Sequence, residues 1–131
     1  MQTATNPEIE TSVARTFPAE AISATSARHF VVATLEPLVR DDLVAVAALL
    51  TTELTTNSVL HARSAVDVHV EVSTDRLRVE VCDAHPDRPR RLRADPFGTF
   101  GRGLALVDHM SDRWGVSPRS SGKGVWFTLD L

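Results

Sequence analysis

Glu53, Asn57 and His61 fall at i, i+4 and i+8 of one segment, Glu53-Leu-Thr-Thr-Asn-Ser-Val-Leu-His61. In a helix these three lie along one face, a turn apart. They supply a carboxylate, a carboxamide and an imidazole. A carboxylate is of the right type to act as a general base or to position a water. A carboxamide oxygen is a hard ligand that suits Mg²⁺, which takes few protein ligands and completes its shell with phosphate oxygens and water. The preceding run, Leu43 to Leu50, is almost wholly apolar. A charged Glu53 in that setting is costly unless something pairs with it. Spacing alone leaves an equal alternative, a polar helix edge at the surface, because short polar spacings recur by chance.

Two further places could join that face. Asp83 ends an apolar strand where a loop begins. A carboxylate there can accept a hydrogen bond from an exocyclic amine, or it can simply start a turn. Gly101-Arg102-Gly103-Leu104 stands between that loop and a short helix. Glycines let a backbone approach a ligand closely, and helix N-terminal amides suit a phosphate. Taken singly, the turn reading is favoured at both places. Other groups lead nowhere. Gly122-Lys123-Gly124 lacks the spacing and the Ser/Thr of a P-loop. Cys82 and His85 are spaced like metal ligands but have no second such pair, so zinc is not expected. His29, His69 and His109 read as surface residues. Arg88, Arg90, Arg91 and Arg93 read as a solvated loop, and Trp114 and Trp126 as core.

The elements that must hold these residues are legible in outline. Residues 1–12 read as a flexible tail and 13–131 as one domain. Val13 to Phe17 reads as a short edge strand. Pro18 suits the first turn of a helix, and Ala27, Phe30, Val31, Thr34, Leu35 and Leu38 follow a 3.6 period. A second helix is expected from about Asp42 to Ala62. Val66, Val68, Val70 and Val72 then alternate with polar residues, as do Leu77, Val79 and Val81. Two such runs around Ser73-Thr74-Asp75 predict a β-hairpin with one face on a core. Residues 84–100 read as a long loop of the kind that often carries function. A short helix from Gly103 to about Asp112 and two closing strands, 113–117 and 125–131, complete the chain. The order of elements predicts an α/β (α+β) two-layer sandwich, its sheet mainly antiparallel and its helices on one side.

Composition narrows the classes. The 131 residues suit one domain. An apolar content of 43% supplies a real core. The net charge of -3 leaves no electrostatic footprint for nucleic acid. The single cysteine, Cys82, allows no internal disulfide and fits a reducing compartment. Met1 to Ser12 lacks the pattern of a signal peptide, and no run is read as reaching the ~20 apolar residues of a membrane helix. A cytoplasmic protein that acts without a membrane is the expectation.

Order and spacing turn the three weak signals into a specific one. Glu53-x-x-x-Asn57 on a helix, Asp83 at a strand end and Gly101-x-Gly103-Leu104 before a helix resemble the N, G1 and G2 boxes of the GHKL (histidine-kinase-like) ATPase superfamily. Within it the chain most resembles the anti-sigma-factor serine kinases, in the small single-domain form common in actinomycetes. The resemblance runs from about Arg15 to Leu131. Asp112-Arg-Trp-Gly-Val116 and Gly122-Lys-Gly-Val-Trp126 support it.

The resemblance implies a Bergerat fold, with a mixed, mainly antiparallel sheet, and it implies ATP and Mg²⁺ as cofactors. It implies that Glu53 is the base for phosphoryl transfer, that Asn57 ligates Mg²⁺ and that His61 lies near the phosphates. It implies that Asp83 hydrogen-bonds the adenine amine. Gly101, Arg102, Gly103 and Leu104 would bind the nucleotide along its triphosphate, with residues 94–100 as a short lid. It further implies a homodimer that binds a sigma factor and phosphorylates a Ser or Thr on an antagonist protein. The mixed charge of the first helix and of Asp41-Asp42 makes that region the expected partner surface, outside the nucleotide pocket. Two positions depart from the pattern. His85 stands where much of the superfamily has Gly, although Pro86 fits a variant of the box. Gly124 stands where a Thr often helps to hold the adenine end. Both fall on the adenine side. A non-catalytic partner-binding module is the alternative to a kinase, and a plain α/β interaction domain the third reading.

Overall fold

The alternating valines of the hairpin set the frame of the domain. The computed structural model describes residues 9–84, 99–119 and 122–131. Val66, Val68, Val70 and Val72 are buried on strand β2 (Val66–Ser73), and Leu77, Val79 and Val81 on β3 (Arg76–Asp83). The two strands pair antiparallel, with Val68 opposite Val81 and Val70 opposite Val79. With a side-chain period of two, this register puts one whole set on the core face.

Three more strands extend the sheet. They are β1 (Ile9–Phe17), β4 (Arg113–Arg119) and β5 (Gly122–Asp130), and the spatial order is β1-β2-β3-β5-β4. Every pairing among the described residues is antiparallel. The strand expected from Val13 begins at Ile9 instead. Most of its residues are exposed, so no apolar alternation announces it, and its pairing with β2 fixes it. The first eight residues lie outside those described.

Three helices, α1 (Ile22–Leu35), α2 (Asp41–Asn57) and α3 (Thr99–Met110), form the second layer. Ala27, Val31 and Leu35 of α1 and Val44, Ala47, Leu50 and Leu54 of α2 share one core with Val68, Val79 and Phe127. Helix α2 opens on Arg40 in an extended conformation, with Asp41 and Asp42 in its first turn, where carboxylates complement the helix dipole. Among the described residues the result is an α/β two-layer sandwich with the five-stranded sheet on one side and three helices on the other.

Two boundaries differ from the sequence reading in ways that matter for the site. The helix expected to run unbroken to Ala62 is α-helical only to Asn57, and Ser58–Ala62 forms a π-helical turn. It closes with the Arg63 amide donating to the Ser58 carbonyl at 3.0 Å, and Arg63 sits in the left-handed region at φ 54. Helix α3 starts at Thr99, so Gly101 and Gly103 lie inside the helix rather than before it. The 41–62 run is also long and apolar enough to cross a membrane by length and composition, which the sequence reading did not expect. Half of its apolar window is buried within the domain, as in the core helix of a globular fold. Trp126, expected in the core, lies on the uncovered sheet face with the Arg78 guanidinium 5.1 Å from its ring centroid. Strand parity explains this, because Trp126 alternates with the buried Val125 and Phe127.

Candidate functional site

The last turn of α2 carries the centre of the site. Asn57 is 3% exposed, and neither its carboxamide nitrogen nor its oxygen has a hydrogen-bond partner among the described residues. An orphaned buried polar group costs roughly 1–3 kcal/mol. A fold keeps such a group when something else completes it. Glu53 lies one turn earlier and is half-buried.

Helix α3 closes over this face. A β-carbon added to Gly103 would come 2.6 Å from Asn57 Nδ2 and 3.6 Å from Glu53 Cβ. Gly103 is buried and Leu104 half-buried. Two segments separated by nearly fifty residues therefore meet at Asn57, and the meeting needs a residue without a side chain. Gly101 lies in the first turn of α3, while the side chain of Arg102 falls outside the described part.

The π-helical turn links this centre to Asp83. Ser58 is buried, and its hydroxyl donates to Asp83 Oδ2 at 3.3 Å. The same turn alters the position of His61. An i→i+5 turn is wider than an α-turn, so the stacking of His61 over Asn57 expected from α-helical spacing does not continue past residue 57. His61 is exposed while Asn57 is buried. Glu53, Asn57 and Gly103 come together, Asp83 joins them through Ser58, and His61 stands at the rim.

Asp83 ends β3 at 7% exposure and faces Lys123 across the β3–β5 pair. Lys123 Nζ donates to Asp83 Oδ2 at 2.7 Å. Lys123 was not expected here, although its parity was readable. It alternates in step with Val125, Phe127 and Leu129, as Asp83 does with Leu77, Val79 and Val81, so both point to the helix layer.

Gly124 is corrected by the same parity. It points to the uncovered face, where an added β-carbon would run into the Glu80 carboxylate and lie 3.1 Å from Cys82 Sγ. It does not face Asp83, which pairs with Lys123. The Glu80 carboxylate is buried beside Gly124 and takes Arg78 at 3.2 Å and Arg119 at 3.4 Å. Burial and the neighbouring Glu80 push the Cys82 thiol up to about 11. The other departure, His85, lies outside the described residues with Pro86, the four arginines and positions 94–98 of the expected lid.

The donor set fits a bound cation carrying phosphate: a buried carboxamide with no partner among the described residues, a nearby carboxylate and a helix that packs on them through Gly103. Comparison with protein families gives a match. The model of the histidine kinase-like ATPase domain matches residues 17–129, from the end of β1 to β5. The chain belongs to that family. A comparison with curated proteins returned no match.

Proposed function

We propose that this domain binds ATP with Mg²⁺ and works as a cytoplasmic anti-sigma regulatory factor with serine/threonine kinase activity toward an antagonist protein. The observation that carries the nucleotide part is Asn57, a buried carboxamide without a partner among the described residues, packed against Gly103. Mg-ATP, when bound, would supply the phosphoryl group and neutralise its charge, the main needs of such transfer.

The chain's own residues would divide the work. Asn57 would hold the cation through its side-chain oxygen. Glu53 would accept the proton of the incoming Ser or Thr hydroxyl, a role that suits a carboxylate one turn away. Asp83 would accept a hydrogen bond from the base amine. Gly101, Gly103 and the first amides of α3 would receive the phosphates, as a helix start does for anions, with Arg102 and Leu104 beside them and His61 at the rim. The sigma factor and a second copy of the chain are proposed partners at the surface of α1 and Asp41-Asp42.

A second reading, a regulatory module that binds its partner without catalysis, draws on the Lys123–Asp83 pair, which already engages the proposed base acceptor. Calorimetry with ATP, in Mg²⁺ and in EDTA, tests the nucleotide reading. Mg²⁺-dependent heat is expected, and its absence removes the nucleotide from the account. Transfer of labelled phosphate to a Ser-bearing antagonist separates the kinase from the binder.

A further inference from the structure

The sheet face away from the helices carries a cavity of about 470 Å³ that the nucleotide reading does not use. Arg76, Arg78, Arg113, Trp126, Thr128 and Glu71 are among the residues that line it. Strand parity puts them there. Trp126 and Thr128 alternate with the buried Phe127 and Leu129, and Arg76 and Arg78 with the buried Leu77 and Val79. Asn57 and Gly103 belong to the helix layer on the other side.

Register sets the geometry of this cavity. Thr128 stands opposite Arg78 on β3 and opposite Arg113 on β4. Side chains directly opposite on one face start about 5 Å apart, so two guanidiniums flank one hydroxyl. Thr128 is 4% exposed, and its hydroxyl has no hydrogen-bond partner among the described residues. A buried hydroxyl left in that state is costly unless something completes it. Arg76 and Arg113 form no ion pair among the described residues. Arg78 meets Glu80 at 3.2 Å and lies 5.1 Å from the Trp126 ring centroid. Those contacts orient it and leave other donors of its five. Glu71, opposite Arg78 on β2, is the one carboxylate of the lining. Asp130 stands opposite Arg76 but is exposed and does not pair with it.

We propose that this cavity binds a tetrahedral oxyanion of the phosphate class, free or carried on a small organic group. The inference does not rest on the nucleotide reading. The donors approach from different directions: a guanidinium from each neighbouring strand, a hydroxyl from the floor between them and Arg76 from the next row. A planar carboxylate accepts hydrogen bonds near one plane, whereas a phosphate accepts from all sides. The arginine fork matches phosphate oxygens, and the long side chains close on an anion from either flank. Glu71 at the edge repels a longer polyanion. The cavity exceeds a bare phosphate in volume, which leaves room for a small ester.

The test is calorimetry on the full chain at constant ionic strength, with inorganic phosphate, glycerol phosphate and acetate as probes. Saturable binding of both phosphates at millimolar concentration is expected, with acetate at least about tenfold weaker. The ratio of the two phosphates tells a free ion from an ester. Arg113→Gln and Thr128→Val are each expected to weaken phosphate binding about tenfold. Thr128→Val should keep or raise the melting temperature, since it removes an unsatisfied group. Arg40→Gln removes a surface guanidinium elsewhere and should leave phosphate binding unchanged. An equal loss in Arg40→Gln means unspecific charge and overturns the inference. So does a parent without saturable phosphate binding, and so does acetate bound as tightly as phosphate. Phosphate heat lost in Asn57→Ala but kept in Arg113→Gln puts the ion in the nucleotide pocket and overturns it too. If Thr128→Val does not fold, Arg113→Gln, at an exposed position of the edge strand β4, decides.

Discussion

A β-carbon on Gly103 would lie 2.6 Å from the carboxamide nitrogen of Asn57. Real β-carbons do not come that close, so Gly103→Ala must push the Asn57 side chain aside. Alanine is the better helix former by roughly 0.8–1 kcal/mol, which offsets much of the packing loss. Stability should change little, while Mg-ATP affinity should fall about tenfold or more. Thermal melts and calorimetry on one preparation would separate the two effects. Unchanged affinity would mean that Asn57 does not hold the cation.

Asn57→Ala and Glu53→Gln should fail differently. Asn57 has no partner among the described residues, so its removal takes away an unsatisfied group worth roughly 1–3 kcal/mol. The melting temperature should hold or rise, and Mg-ATP affinity should drop. Glu53→Gln keeps shape and hydrogen bonding but loses the proposed base. Phosphoryl transfer should fall by roughly 10²–10⁴ with ATP affinity within a few-fold of the parent. A Glu53→Gln variant as active as the parent would assign the base elsewhere.

Gly124→Thr should destabilise the domain by roughly 1–3 kcal/mol through overpacking, because its β-carbon meets the Glu80 carboxylate. Glu80→Ala in the same chain should recover most of that loss, as expected for residues in contact. Chemical denaturation of the two single variants and the double variant gives the coupling. Additive losses would contradict the contact. Nucleotide affinity should not improve in Gly124→Thr, since position 124 faces away from Asp83.

The Cys82 thiol, raised by burial and then by Glu80 to about 11 from an ordinary 9.0, stays protonated in the folded chain well above its unfolded range. The thiolate is the reactive form, so alkylation at pH 8 should be slow until denaturant is added. A raised folded value stabilises fully below about 9 and is lost as the pH climbs toward about 11. Denaturation at pH 8 and pH 10.5 should show a larger loss for the parent than for Cys82→Ala. Equal losses would remove the thiol from the account.

Local patterning made much of this legible. The β2–β3 hairpin, the two long helices and the two-layer sandwich follow from periodicities of 2 and 3.6. The meeting of Asn57 with Gly103 did not, because it depends on a helix–helix contact across nearly fifty residues, and only the order of the boxes hinted at it. The start of β1 was hidden because an edge strand with a polar surface carries no apolar signal. Lys123 was dismissed with a failed P-loop, although its parity with Val125 and Phe127 already set it on the side of Asp83. The π-helical turn had no sequence cue that periodicity could read, and so the expected stack of three ended at two.

That turn also sets a limit on how the chain can change length. Val66 enters the core eight positions after Ser58, and every second residue of β2 depends on that count. Dropping one residue between 59 and 61 would let an ordinary α-turn form, but the strand that follows would then arrive one step out of phase. Unless the short connection 63–65 took up that step, Ser58 would swing away from Asp83, or four valines would exchange places with their polar neighbours. The wide turn works as a phase adjuster between a helix that counts in 3.6 and a strand that counts in 2.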